Sequence, residues 1–248
     1  MKRNHYFFLR LFALLIFISI YLFSCTFLDE IFPPEPGILG VGNPEIVFIY
    51  EIDKSNAQDY ALFLDQEGYR TDIIPFSEVT ATDFSVYKLI IVGADTGTGY
   101  SWGTPKEVEA LKSSEKQVIG LGPGGASLFQ ELQLSIRYEN SMFFSDNYIY
   151  VIDASHIIFN EPHSISIPYD RIIKVYNSTG IRADSIGIYE ANIVSYASRY
   201  GRSVVYQNYY PIVQEDRYLL WGYSSSPTYI TSVGKDLFLN VVSYLTNE

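Results

Sequence analysis

Gln117-Val118-Ile119-Gly120-Leu121-Gly122-Pro123-Gly124-Gly125-Ala126-Ser127-Leu128-Phe129 is the stretch whose reading decides the fold. A short apolar run ends in a glycine cluster and gives way to an apolar, helix-like segment. That pattern predicts a strand driving through a tight turn into a helix, with glycine where backbone passes close to something. In an open α/β sheet ligands sit outside the carboxyl ends of the strands, so this turn is where a site is expected. No thiol or hydroxyl stands where a nucleophile would. Gly122, Gly124 and Gly125 admit two readings: backbone N–H groups offered to an anion at a helix N-terminus, or close packing of helix on strand.

The same alternation extends upstream. Ile46-Val47-Phe48-Ile49-Tyr50 is a continuous apolar run, expected of a strand buried on both faces. A helical stripe of Ala57, Tyr60, Ala61 and Leu64 follows and ends at Glu67-Gly68. Thr71 to Ile74 and Lys88 to Gly93 read as the next strands. Thr104-Pro105 opens a helix through Ser113, with threonine as N-cap and proline at the first helical position. Strand–helix alternation of this kind predicts a mostly parallel sheet in a three-layer α/β/α sandwich, flavodoxin-like.

Downstream of Gln133 the texture changes. Residues 148–152, 172–176, 185–189, 194–197 and 203–206 are β-rich with turns between them, so segment 138–214 predicts short, partly antiparallel strands beside or onto the main sheet. Arg217 to Gly222 reads as a last core strand. Thr231 caps a final helix whose stripe is Leu237, Phe238, Val241, Tyr244 and Leu245.

The N-terminus carries address rather than fold. Lys2, Arg3 and Arg10 precede an apolar run from Leu11 to Phe23, a signal-peptide pattern over residues 1–24. Leu22-Phe23-Ser24-Cys25 contains the only cysteine of the 248 residues and resembles the lipobox of bacterial lipoproteins. The resemblance implies that Cys25 is acylated, palmitate included, and becomes the mature N-terminus. An uncleaved membrane-spanning anchor and an ordinary buried cysteine are the alternatives. Residues 25–43, with Pro33-Pro34-Glu35-Pro36-Gly37, form an extended tether, and globular structure is expected over 44–248. A single cysteine allows no intramolecular disulfide, so the fold must hold by its core. The formal charge is −11, and because residues 1–24 hold three bases and no acid, the remainder carries −14. So negative a surface repels phosphate backbones, which argues against nucleic-acid partners.

The glycine turn carries a second likeness. Gly120-Leu121-Gly122-Pro123-Gly124 resembles the Gly-x-Cys-x-Gly elbow of the class I glutamine amidotransferase-like superfamily, which includes the DJ-1/PfpI and ThuA-like proteins, with Gly122 at the cysteine position. The close of the chain, from Trp221-Gly222-Tyr223 through Pro227, Thr231, Gly234, Asn240 and Leu245, resembles the last strand and helix of such domains in exported bacterial proteins. The likeness covers about residues 44–135 and 215–246. In that family a histidine follows the last core strand; here Trp221-Gly222-Tyr223-Ser224-Ser225-Ser226-Pro227 holds none. Covalent amide hydrolysis needs an activated nucleophile within reach of a base. The resemblance therefore implies a catalytically inactive relative, a pseudoenzyme with no cofactor.

Other residues carry weaker signals. Ser127 lies outside any Gly-x-Ser-x-Gly elbow and reads as a helical serine. Asp95-Thr96-Gly97 resembles the Asp-Thr-Gly of aspartic proteases, but those need two such loops, so Asp95 and Thr96 read as lining a strand-end loop. Asp153 and His156 could orient a base or begin a metal site; a structural turn is the favoured reading. His163 reads as a loop residue, and no metal-ligand spacing is present. The candidate pocket is thus Gly122, Gly124, Gly125, Asp95, Thr96, Asp153, His156, Trp221 and Tyr223. Three functions remain open: a lipid-anchored binding or scaffold module of the cell envelope, with an envelope protein or glycan as partner; a hydrolase of envelope glycans or peptides using Asp95 or Asp153; and an assembly subunit using a face rich in the chain's 22 tyrosines.

Overall fold

The computed structural model describes residues 44–178, 182–187, 193–201 and 203–247. The signal-like segment, Cys25 and the tether through residue 43 lie outside these residues. The chain runs β1 (Ile46–Tyr50), α1 (Lys54–Gln66), β2 (Thr71–Pro75), β3 (Leu89–Val92), α2 (Pro105–Ser113), β4 (Gln117–Leu121) and α3 (Gly122–Glu131). It continues through β5 (Ser141–Ser145), β6 (Tyr148–Val151), β7 (Ile172–Lys174), β8 (Arg182–Gly187), β9 (Val194–Gly201) and β10 (Val204–Tyr206). Last come β11 (Tyr209–Tyr210), β12 (Ile212–Glu215), β13 (Tyr218–Trp221) and α4 (Ser232–Asn247).

Five strands pair in parallel in the order β2-β1-β3-β4-β13. Both faces of this unit are covered, which is why β1 and β3 are apolar without alternation. Ile46, Phe48, Leu89, Ile91 and Leu219 face α1 and α4 on one side. Val47, Ile49, Ile90, Val92 and Leu220 face α2 and α3 on the other. The fold is therefore the three-layer α/β/α sandwich that the alternation predicts. One crossover differs: β2 and β3 are joined by 3₁₀ turns at Phe76–Ala81 and Phe84–Val86 instead of an α-helix. Val79 and Phe84 nevertheless bury there and fill the helix's place in the layer.

Beyond β13 the sheet continues antiparallel through β12, β9, β6 and β7, with β10 folded back on β9. A separate sheet, β11-β8-β5, lies against the segment that follows β13: the Asp184 N–H donates to the Gly222 carbonyl at 2.7 Å, and Ala183 bridges to Tyr223. Segment 138–214 thus holds strands both beside the main sheet and onto it. The short strands β5, β11 and β12 carry no pattern that set them apart in the sequence.

The helix starts follow their caps. Asp53 Oδ1 accepts from the Asn56 amide at 3.0 Å, and Thr104 with Glu107 forms a capping box on α2. Thr231 Oγ1 accepts from the Gly234 amide at 3.0 Å and donates to the Lys174 carbonyl at 2.7 Å, tying α4 to the end of β7. Among the described residues no helix is long and apolar enough to cross a membrane.

Asn240 fastens α4 to the 157–165 segment. Its buried amide donates to the carbonyls of Ile158 (2.9 Å) and His163 (2.7 Å) and accepts from the His163 N–H at 2.9 Å. Removing it strands three backbone groups. Asn240→Ala is expected to cost about 2–4 kcal/mol, read as a lower denaturant midpoint; a loss below about 0.5 kcal/mol would show that these groups find other partners.

Candidate functional site

At the end of β4 the backbone turns through Gly122 at φ +43°, a left-handed conformation in which an L side chain is strained. A Cβ built on Gly122 would stand 3.0 Å from the Ser224 Cβ and 3.4 Å from its amide nitrogen. Ser224 is held there because its neighbours are fastened to α1. The Ser225 carbonyl accepts from the Tyr60 hydroxyl at 3.1 Å, and the Ser226 hydroxyl donates to Asp59 Oδ2 at 2.7 Å. The elbow is formed and roofed by a serine.

The two readings of the glycine cluster separate here. A Cβ on Gly125 would stand 2.3 Å from Gly120, and one on Gly124 would stand 2.1 Å from the Gly93 carbonyl oxygen. These glycines let α3 lie against β4 and the loop after β3. The Gly124 N–H is already donated to the Ala94 carbonyl at 3.1 Å, and Pro123 has no N–H to offer. Close packing explains Gly124 and Gly125.

The loop after β3 is equally self-satisfied. Asp95 Oδ2 accepts from the amides of Glu51 (3.1 Å), Ile52 (2.7 Å) and Asp53 (2.6 Å), in front of α1. Thr96 is buried, donating to the Gly93 carbonyl at 2.8 Å and accepting from Trp102 Nε1 at 2.8 Å. Ser127 is buried and donates to the Gly99 carbonyl at 2.9 Å, the structural role its sequence context suggests.

Trp221 and Tyr223, at the close of β13, are wholly buried. They join a column of rings: Trp221 meets Phe238 edge-on at 5.1 Å, and Tyr223 lies 4.6 Å from Tyr176. Trp221 Nε1 donates to the Tyr176 hydroxyl at 3.2 Å. Burial pushes the Tyr60, Tyr176 and Tyr223 hydroxyls well above their ordinary pKa, so all three stay protonated. These residues form a floor beneath the elbow.

Asp153 and His156 stand elsewhere. They follow β6, which is four strands from β4, roughly 19 Å at about 4.8 Å per strand. Asp153 accepts from the Ser155 hydroxyl (2.6 Å) and amide (2.9 Å), which hold its carboxyl below the ordinary range. His156 Nδ1 accepts from the Ile158 amide at 3.4 Å, and its ring packs 4.7 Å from Tyr196 and 5.7 Å from Tyr244. The pair shapes a turn, in keeping with the structural reading of this segment. Of the candidate pocket, the structure brings together Gly122, Gly124, Gly125, Asp95 and Thr96 at the tips of β3 and β4, puts Trp221 and Tyr223 in the core, and leaves Asp153 and His156 apart.

Sequence reasoning missed the polar group of the small sheet. Asp184 is fully buried and accepts two bonds from Arg182, each 3.1 Å; burial raises its pKa and the guanidinium pulls it back. The Arg-x-Asp spacing on one strand face is the local signal that could have found this pair. Among the described residues no group of three His, Cys, Asp or Glu side chains could hold a metal ion.

No family model and no curated protein matches this sequence. Solved structures do. A Thermoplasma acidophilum protein described as a subunit of GMP synthase superposes with a TM-score of 0.51 at 12% identity, over 84% of this chain and 96% of that one. A chain of PurLQS from Thermotoga maritima gives 0.50 at 12% identity, over 82% and 100%. A glutamine amidotransferase of Thermotoga maritima gives 0.42 at 9% identity, over 74% and 76%. The first two share the α/β/α fold of this chain; at these identities the likeness speaks for the fold alone.

The roofed elbow gives a steric prediction. Gly122→Ala should destabilise the protein by about 1–2 kcal/mol through left-handed strain and the Ser224 contact. Adding Ser224→Gly should return part of that loss in thermal unfolding. An equal loss in both backgrounds would show that Ser224 does not crowd the elbow.

Proposed function

We propose that this protein is a lipid-anchored, extracytoplasmic module of the bacterial cell envelope whose amidotransferase-like domain binds or scaffolds and does not hydrolyse glutamine. One observation supports the reading: Gly122 occupies the elbow with positive φ, carries no side chain, and meets Ser224 in the segment after the last core strand, where the resemblance leads one to expect a histidine. A hydrogen atom cannot act as nucleophile, and a serine roof offers no imidazole to activate one. The carboxylate at the neighbouring strand tip supports it too, since Asp95 is spent on three backbone amides. Asp153, held ionised and distant, makes a poor general acid for the hydrolase alternative. The membrane address rests on Cys25 following an apolar signal-like run.

Two measurements test this. Cells fed labelled palmitate should label the wild-type chain and fractionate it with membranes, whereas Cys25→Ala should lose the label; a labelled alanine variant would end the lipoprotein reading. Purified full-length protein given glutamine should release no ammonia above a buffer blank, and Gly122→Cys should stay equally silent because no imidazole partner stands at the elbow. Turnover by the wild type would refute the non-hydrolytic assignment.

A further inference from the structure

One row of the sheet runs Leu121, Trp221, Ile212, Ala197, Val151 across β4, β13, β12, β9 and β6. β9 continues past this row to Gly201, paired only with β6 and β10, so its end stands beyond the tips of the parallel strands. The tail of β5 in the small sheet closes on it. Between them opens a cleft of about 900 Å³, within the size range of small-molecule sites.

Its floor is a built polar group. The Arg199 guanidinium lies 3.4 Å from the centre of the Phe144 ring and 3.8 Å from that of Tyr206, between two nearly parallel rings 6.3 Å apart. Arg199 Nε donates to Asp146 Oδ2, and the two side chains are only 7% and 9% exposed. Beyond that bond, neither the terminal nitrogens of Arg199 nor Asp146 Oδ1 bonds any described residue, and both residues line the cleft. Gly201 keeps this edge open: a Cβ there would stand 2.3 Å from Asp146 Oδ1 and 3.0 Å from Arg199 Nη2. Tyr148 and Tyr200, meeting edge-on at 6.2 Å, form an aromatic wall, and Asn147 and Asp170 stand at the cleft too.

We infer that this cleft binds a neutral carbohydrate, with a pyranose ring against Tyr148 and Tyr200 and a vicinal hydroxyl pair across Arg199 and Asp146. The proposal deepens the binding-module reading and rests on it. A sugar ring has an apolar C–H face that an aromatic wall covers, and an edge of hydroxyls that both donate and accept. An open guanidinium donor beside an open carboxylate acceptor, held rigid by ring stacking, complements two adjacent hydroxyls without a change in net charge. Among the described residues Arg199 is paired with Asp146, and Asp170 at the cleft offsets Lys174, whose ammonium lies 6.0 Å from the centre of the Tyr148 ring, so these groups present no excess of positive charge to an anionic ligand.

The test uses the full chain in a non-glycosidic detergent, titrated calorimetrically with cellotetraose, chitotetraose and maltotetraose, and with dextran sulfate as an anionic control. At least one neutral tetrasaccharide should bind saturably and with little salt dependence. Tyr200→Ala and Tyr148→Ala should each weaken that binding roughly tenfold, about 1.4 kcal/mol, while leaving the melting temperature unchanged. Gly201→Ala, which crowds the floor, should weaken it as well. Binding of none of the three sugars, binding indifferent to Tyr200→Ala, or salt-sensitive preference for dextran sulfate would overturn the assignment. Ammonia release from glutamine in the same preparations would instead strike the non-hydrolytic reading, so the two failures are separable.

Discussion

The constraint on which the structure depends is the backbone contact between β4 and the first turn of α3. Gly120 and Gly125 touch with no room for a β-carbon on either, and Gly124 presses on the Gly93 carbonyl while donating its N–H to Ala94. Side-chain packing alone could not bring a helix this near a strand, since even one methyl group would force the layers apart. The contact sets the depth of the α3 layer and ties it to the loop after β3, and between strand and helix the chain passes through Gly122 at φ +43°. At this turn stands Gly122, and the glycines on either side of it serve the packing of helix on strand.

That packing organises half of a divided molecule. The parallel half is saturated: apolar strands, helices on both faces, and an aromatic column under the strand tips, with its tyrosine hydroxyls held neutral by burial. The antiparallel half follows different rules. Its strands β10 and β11 are short and half-buried, β9 is eight residues long with a buried middle, and its ion pairs are both local, as in Arg182 with Asp184, and long-range, as in Arg199 with Asp146. A buried ion pair contributes little net stability, because desolvation offsets the attraction. Apolar replacement of such a pair is often neutral or stabilising, but here the guanidinium also gains from the two rings on either side of it.

How much could be read beforehand divides along the same line. Apolar runs such as Ile46 to Tyr50, the Thr104-Pro105 start and the Leu237 to Leu245 stripe are local signals set by burial and capping, and each lies where its pattern placed it. The address of the elbow was legible for the same reason. The members of the site were not, because they depend on which strands become neighbours. Asp153 and His156 adjoin in sequence yet are carried four strands away from the elbow. Trp221 and Tyr223 end a core strand and so read as pocket lining, but the small sheet lies against the segment after β13 and both rings are wholly buried. Ser224 follows Tyr223 directly, but nothing local says that its neighbours are pinned to α1. Arg199 and Asp146 are separated by 53 residues and leave no periodic trace.

The strand order 2-1-3-4-13 places the reversal of direction between β1 and β3, the crevice where open α/β sheets receive their ligands. In this chain that crevice already holds an anion. Three amides in front of α1 converge on one oxygen of Asp95, and a charge-assisted contact of this kind is stronger than a neutral one. An external anion would have to displace a carboxylate tethered at high local concentration, with no gain in hydrogen bonds. The next position along the strand tips is the elbow, roofed by Ser224, and the next is β13, whose tip is buried by Tyr223 and the small sheet. Each place that the fold ordinarily leaves open is thus filled from within the chain. The 900 Å³ opening lies past the last of them, in the antiparallel part of the sheet, where β9 outruns β12 and is paired only with β6 and β10.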